Sequence, residues 1–472
     1  MNKRLLFLCL SFLWSACVMW AQGGWTLQQC IEQAQKNNLG IKISEVNAEI
    51  GRVNVLQSRA SVLPSLNAGA NHTYNIGRTI DRYTNTFANS TVLSQNFFLA
   101  SQVTLWSGMS QYNQIKQNEY TYLANKESIE QQKNDLALNV ATIFLQAIYN
   151  EELNKAAELQ VKTTREQLER TQKLVEAGSL AKSAELDVKA QLANDEFTAT
   201  STQNAFQISI LNLKQLLMLD SVNNFSIQKP DLGSVSADLM SLNVSDVFQY
   251  AVKNQPSIKV SEYNIKSAEK SLAVSRGRVS PTISLNASLG TGYSGLAKDI
   301  TGFNITGYDT SAITTGGEFV LSPVFETVTK NKSFADQFKD NVNKSFGFSV
   351  NVPLFNGLSN YSSIKIAKYR MLSAKYALDQ SKQQLYRTIA QAHADAKAAL
   401  NKLDAAKKSV EAASEALKLT EQKFNVGAVS SFEYINSKNR LFRAETEALN
   451  AKFDYIFKLK VLDFYQGKPL TF

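Results

Sequence analysis

Side chains able to do chemistry are few in this sequence, and none of them forms a known catalytic pattern. His72 and His393 are its two histidines, and His393 lies among alanines on a helix-patterned stretch, where a packed or solvated imidazole is favoured over a metal ligand. Glu151 and Glu152 are neighbours on a predicted helix, so their carboxylates point in different directions and surface solubility is their expected role. The sequence has no phosphate-binding glycine loop and no HExxH, GxSxG or CxxC motif. It therefore predicts no enzyme, no cofactor and no metal site.

The most informative polar residues lie in a short connection between two long helix-patterned stretches. The connection reads KFNVGAVSSFEYI, residues 423–435. Gly427 is suited to the left-handed turn that ends a helix, and Ser430 to the cap that starts the next one. Glu433 stands three residues after Ser430, which is the spacing of a capping box in which the carboxylate reaches back to the Ser430 amide. The sequence thus predicts a tight helical hairpin with a small, apolar tip.

The stretches on either side of this connection have the spacing of long helices. Between residues 359 and 425, apolar residues and alanines recur at intervals close to three and four, and no proline or glycine interrupts them. A helix of roughly 70 residues is ~100 Å long at ~1.5 Å per residue. Alanine at many of these positions lets neighbouring helices approach closely. Such an approach is what a ring of helices needs. An isolated coiled-coil hairpin would explain the same pattern, and the helices alone do not decide between a ring and an isolated hairpin.

The chain contains an internal duplication. Residues 34–66 align with residues 251–283 without a gap, the motif LWSGMSQYNQIK recurs as LFNGLSNYSSIK, and Gly178 falls on Gly427. The second copy carries an additional long loop around residues 294–343. Two copies of one structural unit are therefore predicted.

The duplication predicts a signal peptide followed by two structural repeats. Each repeat contains helices, a β-hairpin and a long helical hairpin, in that order. The predicted bounds are 1–21 for the signal peptide; 22–242 for the first repeat, with its β-hairpin at about 65–105 and its helical tip at 178; and 243–472 for the second repeat, with its β-hairpin at about 282–354 and its helical tip at 427.

The predicted strands alternate apolar residues with small polar ones. Ile283, Leu285, Ala287 and Leu289 alternate with serine, asparagine and glycine. At roughly 10 residues, such strands suit a membrane barrel with lipid on one side and water on the other, although a soluble sheet with one wet face shows the same alternation. Four strands cannot close a membrane barrel, because an open edge leaves peptide groups unsatisfied in lipid. Several copies must then pool their strands, and three copies of four strands would give twelve.

The first residues predict export. A basic segment from Asn2 to Arg4 precedes an apolar segment from Leu5 to Trp14, and a small-residue cleavage point follows at Ala21. Lipidation at Cys17 is an alternative, because Cys17 follows a poor lipoprotein processing pattern. The formal net charge is +9 at pH 7, but basic and acidic residues are interspersed, which is typical of solvated helix faces and disfavours a nucleic-acid partner.

Three quoted stretches carry a family resemblance over essentially the whole mature chain. The order WTLQQCIEQAQKNN, then VNVPLFNGL, then ALKLTEQKFNVGAVSSFEYINSKNRLFRAETEALNAKFDYIFKLKVLDFYQG resembles the TolC-like outer-membrane efflux proteins. The resemblance implies an α+β membrane protein that is mainly α. It also implies a homotrimer in the bacterial outer membrane, whose four strands per chain form a 12-stranded β-barrel continued by a long periplasmic α-helical tunnel. The implied partners are a periplasmic adaptor (membrane fusion) protein and an inner-membrane transporter.

The resemblance also places site residues. The adaptor-docking tips correspond here to Gly178, Ser179, Leu180, Gly427, Ala428, Val429 and Ser430, and the tunnel entrance, or gate, to Phe424, Glu433 and Asn436. The family's tyrosine and arginine at this entrance are replaced by Phe424 and Val429, so their hydrogen bond is unavailable and closure of the entrance is expected to rely more on apolar packing of Phe424. Glu433 and Asn436 stand at two aspartate positions. Two roles stay open for Glu433: capping its helix, or forming a ring of carboxylates that attracts cations.

Two classes of function follow from the sequence. The first is a passive exit duct for small molecules or a secreted substrate, working in a tripartite efflux or type I secretion system. The second is a coiled-coil structural or adhesive protein of the envelope without a pore. The alternating strands favour the duct. The substrate is not predicted, because a wet lumen lined by Asn, Ser, Thr and Gly is permissive.

Overall fold

The computed structural model describes residues 24–81, 83–89, 91–219, 225–230 and 243–470. The predicted signal peptide, Cys17 and the repeat boundary at residue 242 lie outside these residues. The chain divides into two compact units. We call the described residues within 1–51, 120–265 and 373–472 the helical unit, and the described residues within 52–119 and 266–372 the sheet unit.

The same succession of helices occurs twice along the described chain. Helices of 11, 22, 67 and 35 residues occur in this order in the first half and again in the second. The elements are α1 (Leu27–Asn37), α2 (Leu39–Ala60), β1 (Ser65–Asn75), β2 (Arg78–Ile80), β3 (Phe87–Asn89), β4 (Val92–Trp106), α3 (Ser110–Glu176), α4 (Lys182–Leu216), α5 (Val244–Asn254), α6 (Pro256–Gly277), β5 (Thr282–Ser294), β6 (Lys298–Ile313), β7 (Phe319–Asn331), α7 (Phe334–Asp340), β8 (Asn343–Asn351), α8 (Ser359–Asn425) and α9 (Ser431–Tyr465).

The helix starts follow the sequence signals. Thr26 and Gln29 form a capping box, in which the Thr26 side chain accepts from the Gln29 amide and the Gln29 side chain accepts from the Thr26 amide. Pro256 is the first residue of α6, where its missing amide hydrogen costs nothing. None of the helices among the described residues is long and apolar enough to cross a membrane.

The sheet unit is built around a four-stranded antiparallel sheet in the order β1-β4-β5-β8. Its register aligns the apolar positions of all four strands: Ala68 lies opposite Leu99, Leu99 opposite Leu289, and Leu285 opposite Phe348. The other face is mostly small and polar, although Phe98 lies on it opposite Gly69 and Gly290. Ser288 and Ser345 share a hydrogen bond of 2.8 Å across this face. The predicted alternation therefore gives one apolar and one polar face. Strands β1 and β8 each pair on one side alone within the described chain.

The insertion in the second repeat differs from the predicted loop. Residues 298–331 form a second hairpin, β6–β7, and Phe334–Asp340 form the short helix α7. Register shifts occur in β6 after Ile300, Ile305 and Thr310. These bulges interrupt the period-two pattern by which a strand is recognised, which explains why the sequence pattern indicated a loop.

The helical unit has an apolar core between the short and the long helices. Cys30 on α1, Phe144 on α3 and Leu213 on α4 are completely buried and belong to one cluster, together with Ile456 on α9. Burial raises the pKa of the Cys30 thiol to about 12, so this cysteine is an inert packing residue. Alanines of α8 pack against α9 in a second cluster, as the small residues of the helix pattern predict.

Candidate functional site

The second helical tip, which joins α8 to α9, turns at Gly427. This residue has φ +77°, a left-handed conformation that glycine adopts without steric cost. The Gly427 amide donates to the Phe424 carbonyl at 3.0 Å, and the Ala428 amide donates to the Lys423 carbonyl at 2.9 Å. These two bonds form a Schellman motif, which satisfies the last carbonyls of α8 and reverses the chain.

The first tip, which joins α3 to α4, repeats this geometry. Gly178 has φ +70°, its amide donates to Val175 at 3.0 Å, and the Ser179 amide donates to Leu174 at 2.8 Å. A β-carbon placed on Gly178 or Gly427 would have no heavy atom within 4 Å. The backbone conformation, and not a lack of space, therefore makes glycine the fitting residue at both tips.

The start of α9 shows half of the predicted capping box. The Ser430 hydroxyl accepts from the Glu433 amide at 3.3 Å. Among the described residues, no hydrogen bond returns from the Ser430 amide to the Glu433 carboxylate. Glu433 is exposed, so its carboxylate is not committed to the cap.

Phe424 packs against an aromatic partner that the sequence did not indicate. Its ring stacks on Tyr434 at a centroid distance of 5.0 Å and an interplanar angle of 11°. Both side chains are half-buried, and burial raises the pKa of the Tyr434 hydroxyl. The stack joins α8 to α9 immediately behind the second tip. It provides the apolar packing expected of Phe424.

Glu433 and Asn436 line a groove of about 630 Å³ between α8 and α9. Lys423, Arg440 and Arg443 line the same groove, and no Lys or Arg nitrogen of the described residues lies within 4.0 Å of the Glu433 carboxylate. The groove thus combines an acidic group with several cations. We call it the tip groove.

The cations of the tip groove were missed by sequence reasoning, although a signal existed. Positions 433, 436, 440, 443 and 447 of α9 are spaced by three, four, three and four residues. That spacing places Glu433, Asn436, Arg440, Arg443 and Glu447 on one face of the helix.

A hydrogen-bonded network joins the opposite side of α9 to the first helical hairpin. The buried Thr164 hydroxyl donates to Asp195 at 2.6 Å and accepts from the Lys438 ammonium at 3.0 Å. Gln191 also donates to Asp195 at 2.7 Å and exchanges two amide bonds with Asn439, at 3.2 and 3.0 Å. Burial lowers the pKa of Lys438, and the charge of Asp195 opposes that effect. We call Thr164, Asp195, Gln191, Lys438 and Asn439 the tie network.

Two further bonds join the hairpins closer to the tips. Arg170 donates to the Asn425 side chain at 3.0 Å, and the Ser431 hydroxyl donates to Asp187 at 3.2 Å. The bond from Ser431 and the tie network fix the first turns of α9 against the first hairpin, and the bond from Arg170 fixes the end of α8. Polar bonds between the two hairpins therefore accompany the apolar packing of Phe424 behind the second tip.

Charges also stabilise the start of α4 behind the first tip. Glu185 is buried and forms ion pairs with Lys182 and, at 2.7 Å, with Lys189. Hydrogen bonds from Lys182, and then from Lys189, lower the pKa of the Glu185 carboxyl to about 2. In the described part of the chain, no group of three or more His, Cys, Asp and Glu residues could hold a metal ion.

Comparison with known proteins gives one consistent result. A family model described as outer membrane efflux protein matches residues 30–217 and 247–467. Outer membrane protein TolC of Escherichia coli K12 is 23% identical over 444 residues, covering 91% of this chain and 80% of that protein. TolC of Vibrio cholerae serotype O1 is 22% identical over 455 residues, covering 95% and 91%. A crystal structure of CusC, at 16% identity, has a similar fold with a TM-score of 0.76 and covers 96% of both chains.

Proposed function

The chain belongs to the outer membrane efflux protein family, as its resemblance predicts, and is a protein of the bacterial outer membrane; we propose that it is the exit duct of a tripartite efflux or type I secretion system. In this proposal the chain itself is passive. An inner-membrane transporter supplies the energy, and a periplasmic adaptor connects the two. The cargo is a small molecule or a secreted substrate.

The register of the four-stranded sheet carries the proposal. Its apolar face is open, since Leu66, Phe346 and Phe348 are 69%, 84% and 69% exposed. Strands β1 and β8 leave two edges unpaired within the described chain. A sheet with one apolar face and two open edges is complete in lipid when copies join edge to edge. Three copies would form the 12-stranded barrel that the resemblance implies, with the serine and asparagine face towards the lumen.

The long helices of three copies would form the periplasmic tunnel. Helices α3 and α8 have 67 residues each, or ~100 Å at ~1.5 Å per residue. Alanines of α8 share an apolar cluster with α9. A coiled-coil envelope protein without a pore would use the same helices, but it would leave the apolar face of the sheet in water.

The two glycine tips are the proposed docking surface for the adaptor. Gly178, Ser179, Gly427, Ala428 and Ser430 are exposed. Leu180 and Val429 are half-buried, so each tip offers small polar groups beside a partly covered apolar side chain. A helical hairpin of the adaptor could contact such a tip closely, because glycine and alanine keep the backbone accessible.

The tip groove and the Phe424–Tyr434 stack are the proposed gate. Phe424 would stabilise the closed entrance by packing, while Glu433 and Asn436 face the passing ions. Lys423, Arg440 and Arg443 lie in the same groove, so we expect the carboxylate to be partly compensated. The tie network would resist movement of α9 when the entrance opens.

A pair of neighbouring substitutions in β8 tests the duct directly. Phe348→Lys places a charge on the apolar face, where a lysine at the bilayer midplane costs about 2–4 kcal/mol per chain. Ser349→Lys places the same charge on the polar face. We expect Phe348→Lys to abolish assembly into the outer membrane, and Ser349→Lys to assemble and to shift planar-bilayer conductance towards anions. Equal assembly of both variants, without a change of ion selectivity in either, would contradict the proposal.

A further inference from the structure

The β6–β7 hairpin, which we call the ribbon, contains a five-residue repeat in its first strand. The segment Ile300-Thr301-Gly302-Phe303-Asn304 is followed by Ile305-Thr306-Gly307-Tyr308-Asp309, and a weaker third copy begins at Thr310. Each copy has an aliphatic or threonine residue, a hydroxyl residue, a small residue, an apolar residue and a polar residue. A regular repeat in an inserted segment indicates that a particular surface is being built.

A bulge in every repeat keeps the apolar residues on one face. Five residues are an odd number, so a regular strand would turn successive repeats to opposite faces. The extra residue of each bulge, Thr301, Thr306 or Ser311, removes that inversion. Their hydroxyls donate to the carbonyls of Val328, Val324 and Val320 on β7, at 3.1, 3.3 and 3.1 Å. The acceptors are four residues apart, which is an even number, and the repeat therefore stays in phase with β7.

The result is a ribbon whose two faces differ in charge and in the size of their side chains. One face, which we call the apolar face, carries uncharged side chains from Ile300 to Ile313 and from Phe319 to Thr329, and the opposite face carries the charges together with three valines of β7. The large apolar members of the apolar face are Ile300, Phe303, Ile305, Tyr308, Ile313, Phe319, Leu321, Pro323 and Phe325. Asp299, Asp309, Glu326 and Lys330 all point to the opposite face. Two identical apolar faces can thus meet without opposing like charges.

The apolar face is uncovered within the described chain. Strands β6 and β7 pair only with one another there, and every residue of β7 is exposed. Eight of the nine side chains are 55–68% exposed. With roughly 200 Å² for each large side chain, they present on the order of 1,000 Å² of apolar surface. Typical monomers expose patches of about 300–600 Å², and a stable interface needs about 800 Å² from each partner.

The edges of the ribbon disfavour lipid as the partner of this face. Each strand has an outer edge of unpaired amide and carbonyl groups, and such an edge is costly in hydrocarbon. Packing against other copies of the chain avoids this cost, because the unpaired edges can remain in water while the apolar faces contact one another. The ribbon leaves the sheet where β5 ends at Ser294, and Lys332 holds its base by ion pairs with Asp299 and Asp340. Copies joined through their sheets would therefore present their ribbons at the same end of the assembly.

We propose that the apolar face is an interface between copies of this chain, in which the ribbons of the assembled copies turn their apolar faces towards one common axis and pack together there. The inference rests on the proposed oligomeric duct, since that assembly brings the ribbons together. It adds a contact beyond the four-stranded sheets. Ribbons packed in this way would lie together at one mouth of the duct.

Two adjacent residues of β7 provide a matched test in the exported protein, from which removal of the predicted signal peptide takes away Cys9 and Cys17. Leu321 lies on the apolar face and Ser322 on the opposite face, and both are exposed. The buried Cys30 thiol, whose pKa is about 12, gives no background reaction. We expect Leu321→Cys to cross-link copies with a short bis-maleimide at least tenfold faster than Ser322→Cys, in the purified oligomer without any other protein.

The outcomes separate this inference from the proposed function. An intact oligomer in which Leu321→Cys cross-links no faster than Ser322→Cys would refute the ribbon interface and leave the duct standing. If the unsubstituted chain formed no oligomer, the proposed duct would instead be refuted. A bimane label on Leu321→Cys tests whether lipid, instead of another copy of the chain, covers the apolar face. Strong quenching of the bimane fluorescence by brominated lipid in the assembled protein would overturn the inference. Weak quenching together with fast cross-linking would support it.

Discussion

Replacing Thr164 by valine should release the start of α9 from the first hairpin. The valine keeps the shape of the side chain but removes the hydroxyl that bonds to both Asp195 and Lys438. Of these two bonds, only the one from Lys438 joins α9 to the first hairpin, because Thr164 and Asp195 both belong to that hairpin. A hydrogen bond to a charged group contributes about 1.5–3 kcal/mol. Because about 1.4 kcal/mol corresponds to tenfold in an equilibrium constant, local opening of α9 should become roughly 10- to 100-fold more frequent.

Hydrogen exchange of the backbone amides of residues 431–439 is the assay for this prediction. Thr163→Val is the matched control, because the exposed Thr163 hydroxyl bonds only to the Leu159 carbonyl of its own helix, at 2.7 Å. We expect accelerated exchange in Thr164→Val and little change in Thr163→Val. Equal exchange at residues 431–439 in the two variants would refute the role given to the tie network.

Three further predictions concern the tips. Glu433→Gln retains the amide that donates to Ser430, so α9 should keep its cap, while block of single channels by multivalent cations should weaken; unchanged block would exclude the carboxylate ring. Phe424→Ala loses the stack on Tyr434, worth about 0.5–1.5 kcal/mol beyond area burial, and proteolysis at the second tip should rise several-fold. Phe432→Ala, at a side chain 63% exposed, is its control, and equal cleavage of both would count against the stack. The Glu185 carboxyl has its pKa lowered from 4.5 to about 2, so its stabilisation is complete above pH 4.5 and is lost as the pH falls through about 2. The difference in melting temperature between the natural chain and Glu185→Gln should follow that course, and a difference independent of pH would show that the ion pairs do not cause it.

Local patterns in the sequence predict the main elements well. The turns at Gly178 and Gly427 have the predicted left-handed conformation, and alternation around Ile283 and Leu285 predicts the apolar face that the register aligns across four strands. These features depend on neighbours in the chain, which explains why one sequence suffices. The comparisons confirm the predicted family, and the roles of the tip residues remain proposals.

The parts that the sequence did not predict depend on contacts between distant residues or on broken periodicity. Lys438 and Thr164 are separated by 274 positions, and Ser431 and Asp187 by 244, so no local spacing indicates their bonds. The ribbon was interpreted as a loop because a bulge after Ile300, and two more beyond it, hide the strand period. The spacing of Ser430 and Glu433 predicts both bonds of a capping box, but among the residues that the structure describes only the bond from the Glu433 amide to the Ser430 hydroxyl is formed. The second bond depends on where the Glu433 side chain points, which the spacing does not fix.

The proposed duct requires several copies of this chain to form one continuous channel across a membrane. Two measurements on the same preparation decide this: the mass of the purified, heat-dissociable oligomer, and its single-channel conductance in a planar bilayer. We expect three chains per particle and a discrete conductance that disappears when heating dissociates them. A monomer, or a stable trimer that conducts no ions, would contradict the proposed duct.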